Sequence, residues 1–101
     1  MAETFFQVVV RYTVKPGETD DVLRLLGEMA AATRGEEANL AYDFFQGVDN
    51  AAEIVILERY RDAAGFAAHR EYEHFERIGV SQIIPRLAGR AVQTFENATA
   101  S

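Results

Sequence analysis

The chain has only two histidines, His69 and His74, and His69 is the stronger candidate for proton transfer. An imidazole with an ordinary pKa near ~6.5 exchanges protons at neutral pH and can serve as a general base. A half-buried histidine that bonds a backbone carbonyl is the alternative interpretation. On an ideal helix His74 lies about 140° further round than His69. We therefore expect the two rings on different faces and no joint metal site.

Glu58 is the second candidate, because it lies in a strand-like segment whose neighbours are apolar. It shares a face with Ile54 and Tyr60 at the two-residue period of a strand. A carboxylate on a buried face needs a partner or a shifted pKa, and such groups are enriched at functional sites. The competing interpretation is a structural ion pair with Arg11 or Arg59.

Aromatic side chains accompany these ionisable residues along the chain and could line a pocket for a flat molecule. Packing in the core is the commoner use of such residues. The aromatic candidates are Tyr42, Phe44, Phe45, Tyr60 and Phe66. The sequence has no Gly-rich phosphate loop, nucleophile elbow or dinucleotide fingerprint. With no cysteine, it also has no disulfide, thiolate-zinc site or thiol nucleophile.

Length and charge exclude several classes of protein. The 101 residues suffice for one domain, and 49% of them are hydrophobic. The net charge of −6 argues against nucleic acid as a partner, because phosphate binders need a basic surface. No apolar run approaches the roughly 20 residues of a membrane span. The acidic stretch Met1–Thr4 leads directly into a strand-like segment, so we expect no secretory signal and a cytoplasmic location.

The elements that must position the candidates follow from apolar periodicity and from turn residues. Strands are predicted over Phe5–Val14, Asn39–Gln46, Ile54–Tyr60 and Ala91–Glu96. Helices are predicted from about Thr19 to Arg34 and from Ala63, with Asp62 as the cap of the second. We expect that helix to break between Arg70 and Glu73, before a further short helix.

The order β-α-β-β-α-β is the split βαβ arrangement of a ferredoxin-like α+β fold, with an antiparallel four-stranded sheet and both helices on one face. The first three strands carry apolar residues on both faces, yet two helices cover only one. An exposed apolar face of several hundred Å² (roughly) is uncommon on a soluble monomer. The pattern therefore predicts a homodimer, with two sheets closing an eight-stranded barrel.

Three segments of the chain resemble the antibiotic biosynthesis monooxygenase family in order and spacing. They are Val14–Gly17, Asn39–Asp43, and Glu58–Asp62 followed by Phe66, His69, His74 and Phe75. The resemblance implies a dimeric α+β barrel. It also implies oxygenation of a quinol, an anthrone or a polyketide-like aromatic by O2, without metal, flavin or other cofactor.

On this resemblance, His69 is the expected base, and Glu58 either orients it or is the base itself. The expected contacts to the aromatic substrate come from six residues of the matching segments. These are Asn39, Tyr42, Tyr60, Phe66, His74 and Phe75.

Other branches of the same family remain as alternatives. The stretch Asn39–Gln46 also resembles the branch that isomerises the phosphorylated autoinducer-2 signal. Some barrels of this shape bind ligands without catalysis. The haem-degrading branch is disfavoured, because Val10 stands where that branch has asparagine and the chain has no tryptophan.

Overall fold

The computed structural model describes residues 3–100, so the first two residues of the acidic N-terminal stretch lie outside the described part. One four-stranded antiparallel sheet forms, in the order β2-β3-β1-β4. Its strands are β1 (Phe5–Val14), β2 (Asn39–Gln46), β3 (Glu53–Tyr60) and β4 (Leu87–Ala98). The ferredoxin-like split βαβ fold predicted from the sequence is confirmed.

The helical elements lie on one face of this sheet. They are α1 (Thr19–Thr33), α2 (Ala63–His69), a π-helix (Phe75–Ile83) and a 3₁₀ turn (Ile84–Arg86). None of the helices in residues 3–100 has the length and apolar character needed to cross a membrane. The predicted cap of α2 is confirmed, since the Asp62 carboxylate accepts a hydrogen bond from the Gly65 backbone N–H at 2.8 Å.

The core lies between the sheet and α1. Alternate residues of β1, from Phe6 to Val14, are buried, and so are Ile54, Ile56 and Tyr60 of β3. The apolar side of α1 packs against them with Val22, Leu25, Leu26 and Met29. This packing buries the sheet face that also carries Glu58.

Two features of the strands differ from the sequence-based prediction. Regular alternation along β2 would place Leu40 on the face of Tyr42 and Phe44, but a register shift between Asn39 and Ala41 leaves Leu40 mostly exposed. Strand β4 extends beyond the predicted 91–96 at both ends. Backbone pairing with β1 needs no apolar side chain, so the apolar pattern alone underestimated its length.

Candidate active site

His69 is the last residue of α2, and its ring is almost completely buried, with 2% of the residue exposed. Aromatic rings surround it, with centroids 5.2 Å to 6.2 Å from that of the imidazole. These rings belong to Tyr42, Tyr60, Phe66 and Phe75. Burial lowers the pKa of His69 below its ordinary 6.5. The imidazole is therefore neutral at pH 7 and able to accept a proton.

A carboxylate that the sequence analysis did not single out holds this ring in place. Glu36 lies in the connection between α1 and β2, and its side chain is buried. Its Oε2 atom lies 2.8 Å from His69 Nδ1 and 2.6 Å from His74 Nε2. A carboxylate only accepts hydrogen bonds, so His69 Nδ1 carries the proton and Nε2 is left with a free lone pair.

The prediction that His69 and His74 lie on different faces is wrong. Helix α2 ends at His69, and the chain turns before the π-helix begins at Phe75. The ideal-helix angle therefore does not apply, and both rings converge on Glu36. The break itself was predicted at this place and is confirmed.

Glu36, His69 and His74 also offer three ligand atoms within 4.8 Å of one another. Two histidines and one carboxylate are a ligand set found in divalent-metal sites. A metal on His69 Nδ1 would leave the proton on Nε2, so metal binding and proton acceptance at Nε2 exclude each other. The expectation of no metal ligands stays a prediction.

Glu58 lies on the other side of His69, with one carboxylate oxygen 3.7 Å from Nε2. The Tyr60 hydroxyl donates a hydrogen bond of 2.6 Å to the same oxygen. Glu58 is buried, and this burial raises its pKa to about 7 although the Tyr60 bond acts in the opposite direction. A carboxyl group with such a pKa can both take up and release a proton near neutrality.

The alternative ion pairs considered for Glu58 do not form. Arg11 and Arg59 lie on the opposite face of the sheet from Glu58, since the strand alternates. The Arg59 side chain instead donates to Gln7 at 3.1 Å. Glu58 therefore belongs to the group around His69.

A cavity of about 190 Å³ adjoins these residues between the sheet and the helical elements. His69 and Glu58 form part of its wall, together with Tyr42, Phe66 and Phe75. Tyr60 and His74 lie behind that wall, where they bond Glu58 and Glu36. The cavity thus brings an imidazole, a carboxyl group and aromatic rings together.

Asn39 is the one predicted site residue that lies apart from this group. Its side-chain amide donates to the backbone carbonyls of Ala41 at 3.0 Å and Arg59 at 3.4 Å. These bonds stabilise the register shift of β2, and Asn39 does not line the cavity. A substrate contact by Asn39 stays a prediction without geometric support.

Comparison with known proteins gives a consistent result. Residues 5–79 match the family model described as antibiotic biosynthesis monooxygenase. The Bacillus subtilis protein "Putative monooxygenase YcnE" is 33% identical over 63 residues, which are 62% of this chain and 66% of that protein. "Putative monooxygenase Rv0793" of Mycobacterium tuberculosis is 30% identical over 81 residues, which are 78% of this chain and 79% of that protein.

Solved structures agree over nearly the full length. The structure of Rv0793 has a TM-score of 0.87 and 25% identity, covering 97% of this chain and 99% of that one. A crystal structure described as an antibiotic biosynthesis monooxygenase has a TM-score of 0.85 and 30% identity, covering 92% of this chain and 98% of that one.

Proposed function

The chain belongs to the antibiotic biosynthesis monooxygenase family, and we propose that it is a cytoplasmic, cofactor-free monooxygenase that oxidises a quinol-like aromatic with O2. One observation carries this proposal. A buried imidazole is fixed through Nδ1 by Glu36 and lines an aromatic cavity, with its Nε2 3.7 Å from an oxygen of Glu58, which lines the same cavity. Such a base can deprotonate a phenol in the absence of bulk water.

Deprotonation is the step that makes metal-free oxygenation feasible. O2 has a triplet ground state, so an organic substrate must first become electron-rich enough to transfer one electron to it. His69 Nε2 takes the proton of a hydroquinone hydroxyl, and the Glu36 carboxylate stabilises the resulting imidazolium at 2.8 Å. The aromatic rings around His69 hold the flat substrate against the base.

We assign to Glu58 the delivery of a proton to the oxygen atom that leaves as water. The full reaction converts a hydroquinone and O2 into a hydroxyquinone and water, with one oxygen atom entering the ring and the other leaving as water. Two hydrogens leave the substrate, and both end in that water. Burial gives the Glu58 carboxyl a pKa of about 7, which suits it to deliver a proton to the departing oxygen.

We propose that the active form is a homodimer joined through the face of the sheet that the helices leave uncovered. That face carries Phe45 of β2, Leu57 of β3 and Phe95 of β4, all substantially exposed. A second copy packed sheet to sheet would bury these side chains and close the barrel expected of this family.

The test is oxygen uptake with methylhydroquinone, with autoxidation subtracted and a chelator present. We expect uptake by the native chain and one atom of ¹⁸O from ¹⁸O2 in the hydroxyquinone. His69→Gln is expected to lower kcat about 100-fold or more, the range for loss of a general base. The matched variant His74→Gln, which keeps the base, is expected to lose far less.

Three results would contradict the proposal. One is uptake that equals that of His69→Gln for every hydroquinone tested. Another is a product without ¹⁸O, which would indicate simple oxidation to the quinone with release of hydrogen peroxide. The third is turnover of a phosphorylated ketose under argon, which would support the isomerase alternative.

A further inference from the structure

Two arginines line the same cavity as His69 and Glu58, and both are solvent-exposed. Arg70 follows α2 and Arg90 lies on β4, which is an edge strand. By contrast, His69 and Glu58 are only 2% and 4% exposed. The lining of the cavity therefore has a buried part, with the imidazole and carboxyl groups, and an exposed part that includes two arginine side chains.

Neither arginine lies within 4 Å of a carboxylate oxygen in the part of the chain described, although the Arg90 charge acts to lower the pKa of Glu58. Five other arginines each lie within 4 Å of a carboxylate oxygen, namely Arg24, Arg34, Arg61, Arg77 and Arg86. Arg70 and Arg90 have no such contact among residues 3–100, although the chain has 16 acidic and only 10 basic residues. Positive charge in the exposed lining of a cavity in an acidic protein favours an anionic ligand.

Aromatic neighbours hold both guanidinium groups near the cavity wall. The Arg70 guanidinium carbon lies 5.8 Å from the centroid of the Phe66 ring. Arg90 is directly opposite Tyr12 in the pairing of β4 with β1. Burial raises the pKa of Tyr12 to about 12, and the nearby Arg90 charge acts against that rise. Contacts of this kind leave guanidinium N–H groups available to a ligand.

The volume of the cavity indicates how much of a ligand it can surround. A cavity of about 150 Å³ in another protein accommodates one benzene molecule. The 190 Å³ found here therefore suits one aromatic ring with small substituents. A three-ring anthrone or a larger polyketide would extend beyond that volume through the exposed part of the cavity.

We propose that the substrate is a single-ring hydroquinone bearing a carboxylate, with its ring beside His69 and its carboxylate at Arg90 and Arg70. This inference rests on the proposed function for the hydroquinone part. The carboxylate part rests on the two arginines alone. Guanidinium groups bind carboxylates through paired, charge-assisted hydrogen bonds, so the arginines would set the direction in which the ring enters.

The experiment compares 2,5-dihydroxybenzoate with its methyl ester, which lacks the negative charge and carries one additional methyl group. Binding is measured by calorimetry under argon, so that no oxygenation occurs. We expect the carboxylate to bind the native chain at least about tenfold more tightly than the ester, as one charged hydrogen bond provides. Added salt should weaken binding of the carboxylate and leave the ester unchanged.

Variants locate the effect. Arg90→Gln should reduce affinity for the carboxylate about tenfold while affinity for the ester stays the same. The control Arg77→Gln removes the same charge from an exposed pair with Glu73 and should change neither. Circular dichroism of each variant verifies folding, and Arg90→Lys should recover part of the lost affinity, since it restores the charge without the planar fork.

Equal affinity of the native chain for both probes, equal losses for both in Arg90→Gln, or no binding of either would overturn the inference. Its failure is distinguishable from that of the proposed function. Oxygen uptake with the ester and no preference for the acid would support the proposed function and refute the carboxylate-binding inference. Preference for the acid under argon with no oxygen uptake in air would support carboxylate binding by the arginines and refute the proposed oxygenase function.

Discussion

The two faces of the sheet are built from alternate residues of the same strands, yet they have opposite characters. The face beneath the helices contains the core and also buries Glu58 beside His69. On the outer face Phe45 is 54% exposed, Leu57 38% and Phe95 49%. The buried face thus places the ionisable Glu58 among the core side chains, and the outer face exposes large apolar side chains together with charged ones such as Arg11.

Different physical constraints apply to the side chains of the two faces. A buried carboxyl is costly unless it is hydrogen-bonded, as Glu58 is by Tyr60, and its altered pKa is useful in proton transfer. Single exposed apolar side chains are common on monomeric proteins. A contiguous patch of them is typical of an interface. On the function proposed above, the buried face takes part in proton transfer and the outer face joins two copies of the chain.

A charge introduced on the outer face should have the largest effect, which is dissociation of the proposed dimer. Leu57 is opposite Val9 on β1 and Asp43 on β2. Leu57→Asp would place a second carboxylate beside Asp43 and bury both in a sheet-to-sheet contact, which costs several kcal/mol (about). At micromolar concentration we expect the native chain to sediment at twice 11.3 kDa and the variant near 11.3 kDa.

The control is Val48→Asp, at the fully exposed tip of the β2-β3 hairpin, which should remain dimeric. A native chain that sediments near 11.3 kDa would refute the assignment of the outer face to assembly. So would dissociation of both variants alike, because Val48 is not on that face.

A smaller effect is expected when the buried carboxyl is replaced. The pKa of Glu58 rises from 4.5 unfolded to about 7 folded, so the folded state retains this proton at pH values where the unfolded chain has lost it. Its contribution to stability is therefore present below pH 4.5 and is lost as pH rises to 7. Glu58→Gln should be about 3 kcal/mol more stable than the native chain at pH 8 and equally stable at pH 4.5.

Urea unfolding at both pH values and equal protein concentration measures this difference. His69, whose pKa is lowered, acts in the opposite direction, since its contribution is lost as pH falls below 6.5. The His69 contribution is present in both chains and cancels in the difference between their free energies of unfolding. The exposed Glu71→Gln is a control that should leave the pH profile unchanged. A Glu58→Gln difference that is the same at pH 4.5 and 8 would contradict the account.

Much of the fold followed from the sequence because apolar periodicity reports burial directly. The alternation in β1 and β3 predicted the strands, and it placed Glu58 on the buried face. The family resemblance pointed to His69 and its aromatic neighbours. The bulge at Leu40 was not predictable from alternation, since one extra residue reverses the faces without changing the pattern.

Glu36 was missed for a different reason. It lies in the connection between α1 and β2, beside a second glutamate, where no periodicity distinguishes a buried side chain from a solvated one. Its partners His69 and His74 are 33 and 38 residues away in sequence. Only the tertiary fold brings these three groups together, and no local signal could have found them.

We expect His69 to be a neutral base with its proton on Nδ1, and NMR of the ring nitrogens measures both properties. The chain has only two histidines, so His74→Gln assigns the signals. We predict a pKa below 6.5 for His69 and the Nδ1–H tautomer above it. Glu36→Gln should lower that pKa further, since the Glu36 carboxylate acts to raise it. A His69 pKa above 6.5, or a neutral ring protonated on Nε2, would contradict the account.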